Sequence, residues 1–529
     1  HDDARTGIDL DPSFQSSYFL SYNSRPYEKY TSWIGYAFKD VYLYNLKDDN
    51  PRRIAERIQG NPRMSPDERY VYWFSRPDTS WYAYDISEEQ LNRLTKKAFY
   101  DEDNDRPMHP YNSGFVGWTK DDEAFIIYDE YDLWKLNPDT GQLSQLTNGR
   151  KDKIRFRHIA LDRDIDFFPA NTTLLLSLFD EKDKSSGYAY LNLESHQLDT
   201  IFKEAYRYNT RITKAEKSDK LLFTKESFVQ FPDLILSDTQ FKDQKSISNA
   251  NPQQSQYDWG SIELFKWKNY EGEESHGLLV KPLNFDPSKK YPLIVNFYEK
   301  SSHRLHEHRA PYPHRSVINY SYWANKGYVI FNPDVKYRVG YPGQSCYDAV
   351  MSGVDALLKL DFIDETRMGL QGHSWGGYQI ADLITKTNRF ACAEAGAPVV
   401  NMTSAYGGIR WRTGRSRMFQ YEQTQSRLGA SLWEDPELYL VNSPLFNLDK
   451  VETPVLILHN DQDGAVPWYQ GIEYFVAMRR LGKPAWLLNY NNEPHWPVKR
   501  QNRLDFNKRL EQFFDHYLMG KAPAEWMSR

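Results

Sequence analysis

The sequence predicts a β-propeller over residues 1–255, followed by a doubly wound, mostly parallel α/β domain over residues 256–529. Three observations predict this fold class: repeated strand patterns in the first half, a polar linker, and apolar strands alternating with helical segments in the second half. The length of 529 residues also favours at least two domains, because single hydrophobic cores rarely grow beyond about 250–300 residues.

The first half repeats one outline about five times, at intervals of roughly 50 residues. The clearest pair is MSPDERYVYWFS with WYAYDISEEQLNRLT (64–95) and WTKDDEAFIIYD with YDLWKLNPDTGQLSQLT (118–147). Each copy reads as short strands separated by polar turns, which is typical of a four-stranded propeller blade. An all-β sandwich is the alternative.

The polar stretch SNANPQQSQYDWG (248–260) is the candidate linker. After it, a hairpin-like segment at 261–282 precedes six candidate strands, at 291–298, 327–335, 367–374, 390–399, 454–460 and 485–491. These strands are near-continuous apolar runs, as expected where helices cover both faces of a parallel sheet. The second half is therefore predicted to be an α/β domain.

Composition excludes several classes of protein. The chain is 40% hydrophobic and 26% charged, which is typical of a globular protein. The net charge is −6 and no local block of Lys and Arg is present, so the charge pattern does not indicate a nucleic-acid-binding surface. The sequence contains no run of about 18 apolar residues, so it predicts no membrane-spanning helix. Cys346 and Cys392 are predicted to be small core residues.

Residues 372–376 read Gly-His-Ser-Trp-Gly and fit G-x-S-x-G, the nucleophile elbow of the α/β-hydrolase fold. A strand pattern precedes Ser374 and a helix pattern follows it, which is the context that the motif requires. We predict that Ser374 is a nucleophile, with a helix N-cap as the alternative.

A serine hydroxyl needs a base, and in this fold an acid and then a histidine follow the elbow. The strand at 454–460 leads into DQDGAVP, which offers Asp461 or Asp463, and the strand at 485–491 leads into NEPHWP, which offers His495. His459 lies inside a strand pattern and is predicted to be a core residue. The sequence pattern alone leaves the two aspartates as alternatives.

A propeller followed by GHSWGGY, HNDQDGAVP and a late histidine resembles the prolyl oligopeptidase family of serine peptidases. In that family the acid is the fourth residue after the motif histidine, which favours Asp463 when counted from His459. The resemblance also implies an oxyanion hole formed by the Tyr298 hydroxyl and the Trp375 backbone N–H.

The function implied by this resemblance is the hydrolysis of short peptides through an acyl-enzyme, with the propeller restricting access to oligopeptides. An acyl-peptide hydrolase or esterase with the same triad is one alternative, and a non-catalytic propeller scaffold is another. Neither a metal nor an organic cofactor is implied, and the histidines at 303, 306 and 308 lack an HExxH pattern.

The chain departs from the family in the region that lines the substrate pocket. Many members place Arg or Asn two residues after the acid, where this chain has Ala465. The segment 407–419 occupies the region that lines this pocket in relatives, and Tyr406 and Trp411 are candidates for an apolar wall. The alternatives are a solvated basic loop or an arginine that receives an acidic residue or a peptide carboxylate, the candidates being Arg410, Arg412 and Arg415.

Two further departures concern the first half. The double-glutamate motif of the dipeptidyl-peptidase branch has no match in a comparable setting, because Glu88-Glu89 reads as a solvated turn. This disfavours exopeptidase action. Family members carry seven or eight blades, so we expect this chain to be the carboxyl-terminal part of a longer protein. Its partners would then include the missing blades or a second copy. A periplasmic or secreted location is favoured over a cytoplasmic one.

Overall fold

A computed structural model describes residues 6–9 and 16–528. They divide into two units. The first contains the described residues up to Asn104, with Met108–Glu226 and Pro232–Asn249. The second contains Asp105–Pro107, Ser227–Phe231 and the chain from Ala250 onward. Two short segments of the first half therefore fold as part of the second unit.

Within the described residues, the first unit contains five sheets, and their strands are antiparallel except for one short parallel pair, β9 with β14. The first two sheets contain β1 (Thr6–Asp9), β2 (Tyr18–Asn23), β3 (Lys39–Asn45), β4 (Asp48–Ile58), and then β5 (Arg63–Met64), β6 (Tyr70–Ser75), β7 (Ser80–Asp85), β8 (Gln90–Arg93). The third contains β9 (Phe115–Thr119), β10 (Phe125–Tyr128), β11 (Leu133–Leu136), β12 (Leu143–Gln145) and β14 (Phe167–Phe168). The fourth contains β13 (Ile154–His158), β15 (Thr173–Asp180), β16 (Ser186–Asn192) and β17 (Leu198–Glu204). The fifth contains β18 (Arg207–Tyr208), β19 (Thr213–Lys214), β20 (Lys220–Glu226), β21 (Asp233–Asp238) and β22 (Lys245–Ser246).

Aromatic side chains fill the space between consecutive sheets of this unit. Tyr72 and Trp81 of the second sheet pack in one buried cluster with Trp118 and Phe125 of the third. Tyr70 stacks on Trp118 with 5.7 Å between ring centroids. Large flat rings bury much apolar surface at low conformational cost, which explains the high aromatic content. The prediction of repeated antiparallel sheets is confirmed, while the number of blades stays a prediction.

The second unit is built on a mixed sheet with the strand order β23-β24-β26-β25-β27-β28-β31-β32. Its strands are β23 (Ser261–Lys268), β24 (Glu274–Lys281), β25 (Tyr291–Asn296), β26 (Val329–Pro333), β27 (Ile363–His373), β28 (Cys392–Gly396), β31 (Val455–Leu458) and β32 (Ala485–Leu488). The first two pairings, β23 with β24 and β24 with β26, are antiparallel, and all later pairings are parallel. A separate hairpin pairs β29 (Ile409–Arg410) with β30 (Arg415–Ser416).

The α-helices of the described chain are α1 (Thr31–Ile34) in the first unit and, in the second, α2 (Tyr320–Asn325), α3 (Pro342–Leu358), α4 (Trp375–Leu383), α5 (Met402–Tyr406), α6 (Met418–Glu422), α7 (Pro436–Val441), α8 (Tyr469–Arg480) and α9 (Arg500–Met519). Short 3-10 helices cover Arg25–Tyr30, Lys120–Asp122, Arg150–Asp152, Pro252–Gln256, Ser302–Arg304, Pro444–Lys450 and Glu525–Ser528. In the part of the chain described, no helix is long and apolar enough to cross a bilayer.

Successive residues of the parallel strands face two different cores. Val295 and Leu370 pack on one side with residues of α3, α4 and α8. Ile294 and Leu456 pack on the other side with residues of α2 and α9. Both faces of the sheet are thus covered, which is why the strands read as continuous apolar runs. Cys346 and Cys392 are free and buried in these cores.

One strand starts earlier than its apolar run. The sequence predicts a strand at 367–374, whereas β27 begins at Ile363. The added residues Asp364, Glu365 and Thr366 are polar. Ile363 nevertheless pairs with Tyr291, and the register shifts before Leu293 pairs with Met368. The polar side chains hid this extension from a hydrophobicity pattern.

Candidate active site

Ser374 occupies the turn between β27 and α4. Its backbone has φ 61° and ψ −115°, a conformation that is strained for any residue with a Cβ. Its N–H donates to the Gly396 carbonyl at 2.7 Å. A Cβ on Gly376 would lie 2.7 Å from the Phe297 carbonyl oxygen, and a Cβ on Gly377 would lie 2.3 Å from that of Gly396. The two glycines therefore allow α4 to begin directly against the ends of neighbouring strands.

Asp463 lies in the loop after β31 and is almost completely buried. Its Oδ1 accepts hydrogen bonds from the N–H groups of Ala465 and Val466, both at 2.8 Å. Its Oδ2 lies 2.6 Å from Nδ1 of His495 and 3.4 Å from Nε2 of His459. The loop backbone thus fixes one carboxylate oxygen and leaves the other for the two imidazoles.

The alternative aspartate has a different contact. Asp461 accepts a hydrogen bond from the N–H of Asn492 at 2.8 Å, in the loop that leads to His495. Asp463, and not Asp461, is therefore the carboxylate that contacts the His495 ring.

The environment keeps Asp463 ionised. Burial alone would raise the pKa of Asp463, but hydrogen bonds and charge from His459 and His495 outweigh it and hold that pKa well below its usual range. A permanently ionised acceptor favours the proton on Nδ1 of His495 and leaves Nε2 of that ring free to accept a proton.

His373, the residue before Ser374, packs directly against His495. Their ring centroids are 4.7 Å apart. Burial, followed by the charge of His495, holds the pKa of His373 well below its usual range. His495 is thereby placed at the end of β27, next to the turn that carries Ser374.

Tyr298 follows β25 and faces the same turn. Its hydroxyl accepts a hydrogen bond from Nε2 of Gln425 at 2.7 Å. Its carbonyl accepts from Nε2 of Gln379 at 2.7 Å and lies 3.1 Å from the Tyr337 hydroxyl oxygen. Desolvation raises the pKa of Tyr298 above its usual value, while hydrogen bonds with Gln425 and Ser374 act in the opposite direction. The phenol remains a neutral group that can donate a hydrogen bond.

Trp375 is the first residue of α4, so its backbone N–H has no partner within the helix. Its indole Nε1 donates to the Tyr337 hydroxyl at 3.0 Å. The same hydroxyl donates to Oε1 of Gln379 at 2.8 Å. The first turn of α4 and the carbonyl of Tyr298 are therefore held by one set of hydrogen bonds.

A buried polar cluster joins the three central strands behind this site. Gln371 on β27 donates to Oε2 of Glu394 on β28 at 2.7 Å and accepts from Nδ2 of Asn296 on β25 at 2.6 Å. Glu394 is fully buried, and its Oε1 has no partner in the described residues. Burial raises the pKa of Glu394 well above its usual range, against the opposing hydrogen bond from Gln371. Burial therefore favours the protonated form of Glu394 in the folded chain.

This protonated side chain makes stability depend on pH. Because the folded pKa of Glu394 exceeds the unfolded value of about 4.3, only the unfolded chain loses the proton above that pH, and stability falls as pH rises. Between the unfolded and the folded pKa, Glu394 should lower the free energy of unfolding of the wild type by about 1.4 kcal/mol per pH unit. We expect Glu394→Gln to lack this contribution. Urea unfolding at pH 4.5 and 7.5 measures the slope, with the exposed Glu365→Gln as control. Parallel slopes for wild type and Glu394→Gln would contradict an uncharged Glu394.

The candidate pocket residues in and next to the segment 407–419 lie in different environments. Tyr406 is buried, and its hydroxyl is hydrogen-bonded to Glu422. Trp411 is 55% exposed, and Arg412 and Arg415 are exposed as well. Arg410 is half-buried and borders a cavity of about 250 Å³, which is lined by Arg106, Arg410, Phe419, Gln420, Thr424 and Gln425. Of the predicted pocket residues, only Arg410 lines this cavity.

The glutamate pair that was predicted to lie in a solvated turn belongs to the first unit. Glu88 and Glu89 lie between β7 and β8, and Glu89 is paired with Arg52 at 2.6 Å.

Comparison with known proteins identifies the family of the second unit. Residues 313–521 match the prolyl oligopeptidase family. The chain carries a prolyl oligopeptidase family domain. This domain contains Ser374, Asp463 and His495, whereas Tyr298 lies just before the matched residues. The predicted resemblance is confirmed.

Relatives of this chain are peptidases by name. Dipeptidyl-peptidase 5 of Porphyromonas gingivalis is 22% identical over 505 residues, covering 90% of this chain and 62% of that protein. The uncharacterized peptidase YuxL of Bacillus subtilis is 29% identical over 297 residues, covering 52% of this chain and 42% of that protein. The chain thus spans about half of the length of these curated relatives.

A solved structure shows the same fold. Dipeptidyl peptidase 4 of Porphyromonas gingivalis superposes with a TM-score of 0.68 at 16% identity, covering 95% of this chain and 73% of that one. The propeller-plus-hydrolase architecture predicted from the sequence agrees with such neighbours.

Sequence patterns missed several residues of the site. Gln379 and Gln425 bind Tyr298 from α4 and from the loop after α6, and neither lies in a motif. Arg417 is almost completely buried, although it reads as one of several arginines in a basic loop. The residues before Arg417 are polar, so the local sequence contains no indication of its burial.

Proposed function

We propose that this chain is a serine peptidase that hydrolyses short peptides through an acyl-enzyme formed on Ser374. The observation that carries the proposal is the 2.6 Å contact between Asp463 and His495, beside the strained turn that presents Ser374. The family of the domain supports this chemistry. The proposal requires Nε2 of His495 to reach the Ser374 hydroxyl, which the packing of His495 against His373 favours.

In the proposed reaction, His495 takes the proton of the Ser374 hydroxyl as Oγ attacks the scissile carbonyl carbon. His495 then delivers this proton to the leaving amine as the C–N bond breaks, which leaves an acyl-enzyme. Water repeats the sequence with His495 as base and releases the acid. Asp463 fixes the ring tautomer and stabilises the imidazolium that forms.

The oxyanion in this scheme is bound by the Tyr298 hydroxyl and the Trp375 N–H. Two donors fixed before the reaction stabilise the charge that develops on the carbonyl oxygen. The hydrogen bonds of Gln379 and Tyr337 support this assignment, because they hold the Tyr298 backbone and α4 together.

The names of the relatives make release of an amino-terminal dipeptide the first cleavage mode to examine. We infer further that the sheets of the first unit are propeller blades that restrict substrates to oligopeptides.

Labelling with a fluorophosphonate tests the proposal. We expect one adduct per folded chain, located on Ser374 by peptide mass spectrometry and absent from Ser374→Ala. Turnover of a peptide amide, the matching ester and casein then separates the candidate activities. Hydrolysis of the amide with at least a hundredfold lower rate on casein supports an oligopeptidase, and activity on the ester alone supports an esterase. A folded chain whose Ser374 stays unlabelled would contradict both.

A further inference from the structure

Two arginines beside the candidate active site lack an anionic partner. Arg417 is 1% exposed, and its Nε and Nη1 make no hydrogen bond in the described residues. Arg410 donates to Oε1 of Gln420 at 2.7 Å, a neutral group. Across residues 6–9 and 16–528, neither guanidinium has a carboxylate within ion-pair distance.

The two charges also act on each other. Burial, and after it the charge of Arg417, lowers the pKa of Arg410. Removing a charge from water costs several kcal/mol unless an opposite charge compensates it. The charge of Asp463 acts on Arg410 in the opposite direction, but the pKa of Arg410 stays lowered. Two neighbouring cations without an ion-pair partner therefore leave a region of positive potential in the domain.

The adjacent Arg427 shows how this domain pairs a buried arginine. Its guanidinium lies 2.8 Å from Asp105 and 3.2 Å from Glu299. Glu299 also lies 3.6 Å from Arg106, which lines the cavity. Asp105 and Glu299 are therefore engaged with Arg427 and Arg106. Asp463 contacts His495 and His459, and its charge acts on Arg410 without forming an ion pair.

The cavity adjoins the candidate catalytic residues. Arg410 is hydrogen-bonded to Gln420, Nε2 of Gln420 donates to Oε1 of Gln425 at 2.8 Å, and Nε2 of Gln425 donates to the Tyr298 hydroxyl at 2.7 Å. Arg410, Gln420 and Gln425 all line the cavity of about 250 Å³. This volume is several times the roughly 30 Å³ share of one water, so the cavity has room for the end of a substrate residue.

We propose that this cavity binds a carboxylate of the peptide substrate, with Arg410 as the principal ligand and the charge of Arg417 behind it. A guanidinium matches a carboxylate with two parallel hydrogen bonds. The apolar wall at Phe419 suits the methylene groups that would carry the carboxylate. This inference rests on the peptidase activity proposed above and names its preferred substrate class.

The carboxylate has two sources in a peptide. One is a Glu or Asp side chain at P1, the residue whose carbonyl is attacked. The other is the free carboxyl terminus of a short leaving segment. Both present the same charged group, and matched substrates distinguish them.

Two pairs of peptides test the inference. One pair differs only by Glu against Gln at P1, with both ends neutralised. The other has neutral residues throughout and differs only by a free or an amidated carboxyl terminus. We expect kcat/KM to be at least about tenfold higher for the charged member of one pair, because hydrogen bonds between charged groups contribute about 1.5–3 kcal/mol. Ratios near one in both pairs would overturn the inference.

Arginine variants identify the binding group. Arg410→Gln should bring the preference for the charged member close to one. Arg412→Gln removes an exposed arginine two residues away and should keep the preference. A preference that survives in Arg410→Gln would show that the carboxylate binds elsewhere.

A binding measurement separates this inference from the catalytic proposal. Titration of each peptide pair into the Ser374→Ala protein by calorimetry reports affinity without turnover. Tighter binding of the charged member, lost in Ser374→Ala/Arg410→Gln, supports the carboxylate site even if wild-type chain cleaves no peptide. Equal affinities within both pairs contradict the site even if neutral peptides are cleaved.

Discussion

Asp463→Asn is expected to lower kcat/KM for a peptide amide by about a thousandfold to ten-thousandfold. The asparagine keeps an oxygen for the N–H groups of Ala465 and Val466, so the loop should retain its shape. Its neutral amide can neither stabilise a charged His495 ring nor hold the proton on Nδ1, 2.6 Å away in the wild type. The loss should therefore appear in kcat with a small change in KM.

Asp461→Asn is the matched control, two residues earlier in the same loop. Asp461 contacts the backbone of Asn492 and not the His495 ring, so we expect a loss below tenfold. Stopped assays on a fluorogenic peptide, with melting temperatures for both variants, make the comparison. Equal losses in the two variants would mean that the loop matters only as a structural element.

Gly377→Ala is expected to reduce kcat/KM by about a hundredfold while the chain still folds. The new Cβ would lie 2.3 Å from the carbonyl oxygen of Gly396, which also accepts the N–H of Ser374 at 2.7 Å. Backbone cannot rotate out of the way, so α4 must move from the end of β28. A displacement of about 1 Å at a reacting group costs on the order of a hundredfold in rate.

Gly407→Ala tests whether any glycine substitution in this domain has this effect. The Cβ there would meet only the Ser404 carbonyl oxygen, at 4.0 Å, and φ is −74°. We expect activity within threefold of wild type. Fluorophosphonate labelling rates and thermal melting of both variants provide the readout, and full activity of Gly377→Ala would contradict the close packing of α4.

Hydrophobic runs predicted the parallel strands well, because burial on both faces forces nearly every strand residue to be apolar. They failed at β27, where Asp364 and Glu365 extend the strand through backbone pairing that side-chain polarity conceals. The repeats and the polar linker placed residues 105–107 in the first half, whereas Asp105 pairs with Arg427 in the second unit. An ion pair between residues so distant in sequence leaves no local pattern.

The residues of the candidate site also fall into two groups, those that strand patterns locate and those that only tertiary packing places. The turn around Ser374 and the loops of Asp463 and His495 follow strands, so their spacing was sufficient to locate them. Gln425 and Arg417 depend on how a loop without regular periodicity folds back on the domain. Burial of Arg417 in particular is a property of packing, and a charged side chain in a polar segment gives no local sign of it.

Gln379 has a mechanical effect on the site. It lies in the second turn of α4, the helix that follows Ser374, and its side-chain amide donates a hydrogen bond to the Tyr298 carbonyl. This hydrogen bond joins α4 to the residue that follows β25, so a shift of α4 along its axis would strain the Tyr298 main chain as well. The Tyr298 hydroxyl is held separately, from the loop that carries Gln425.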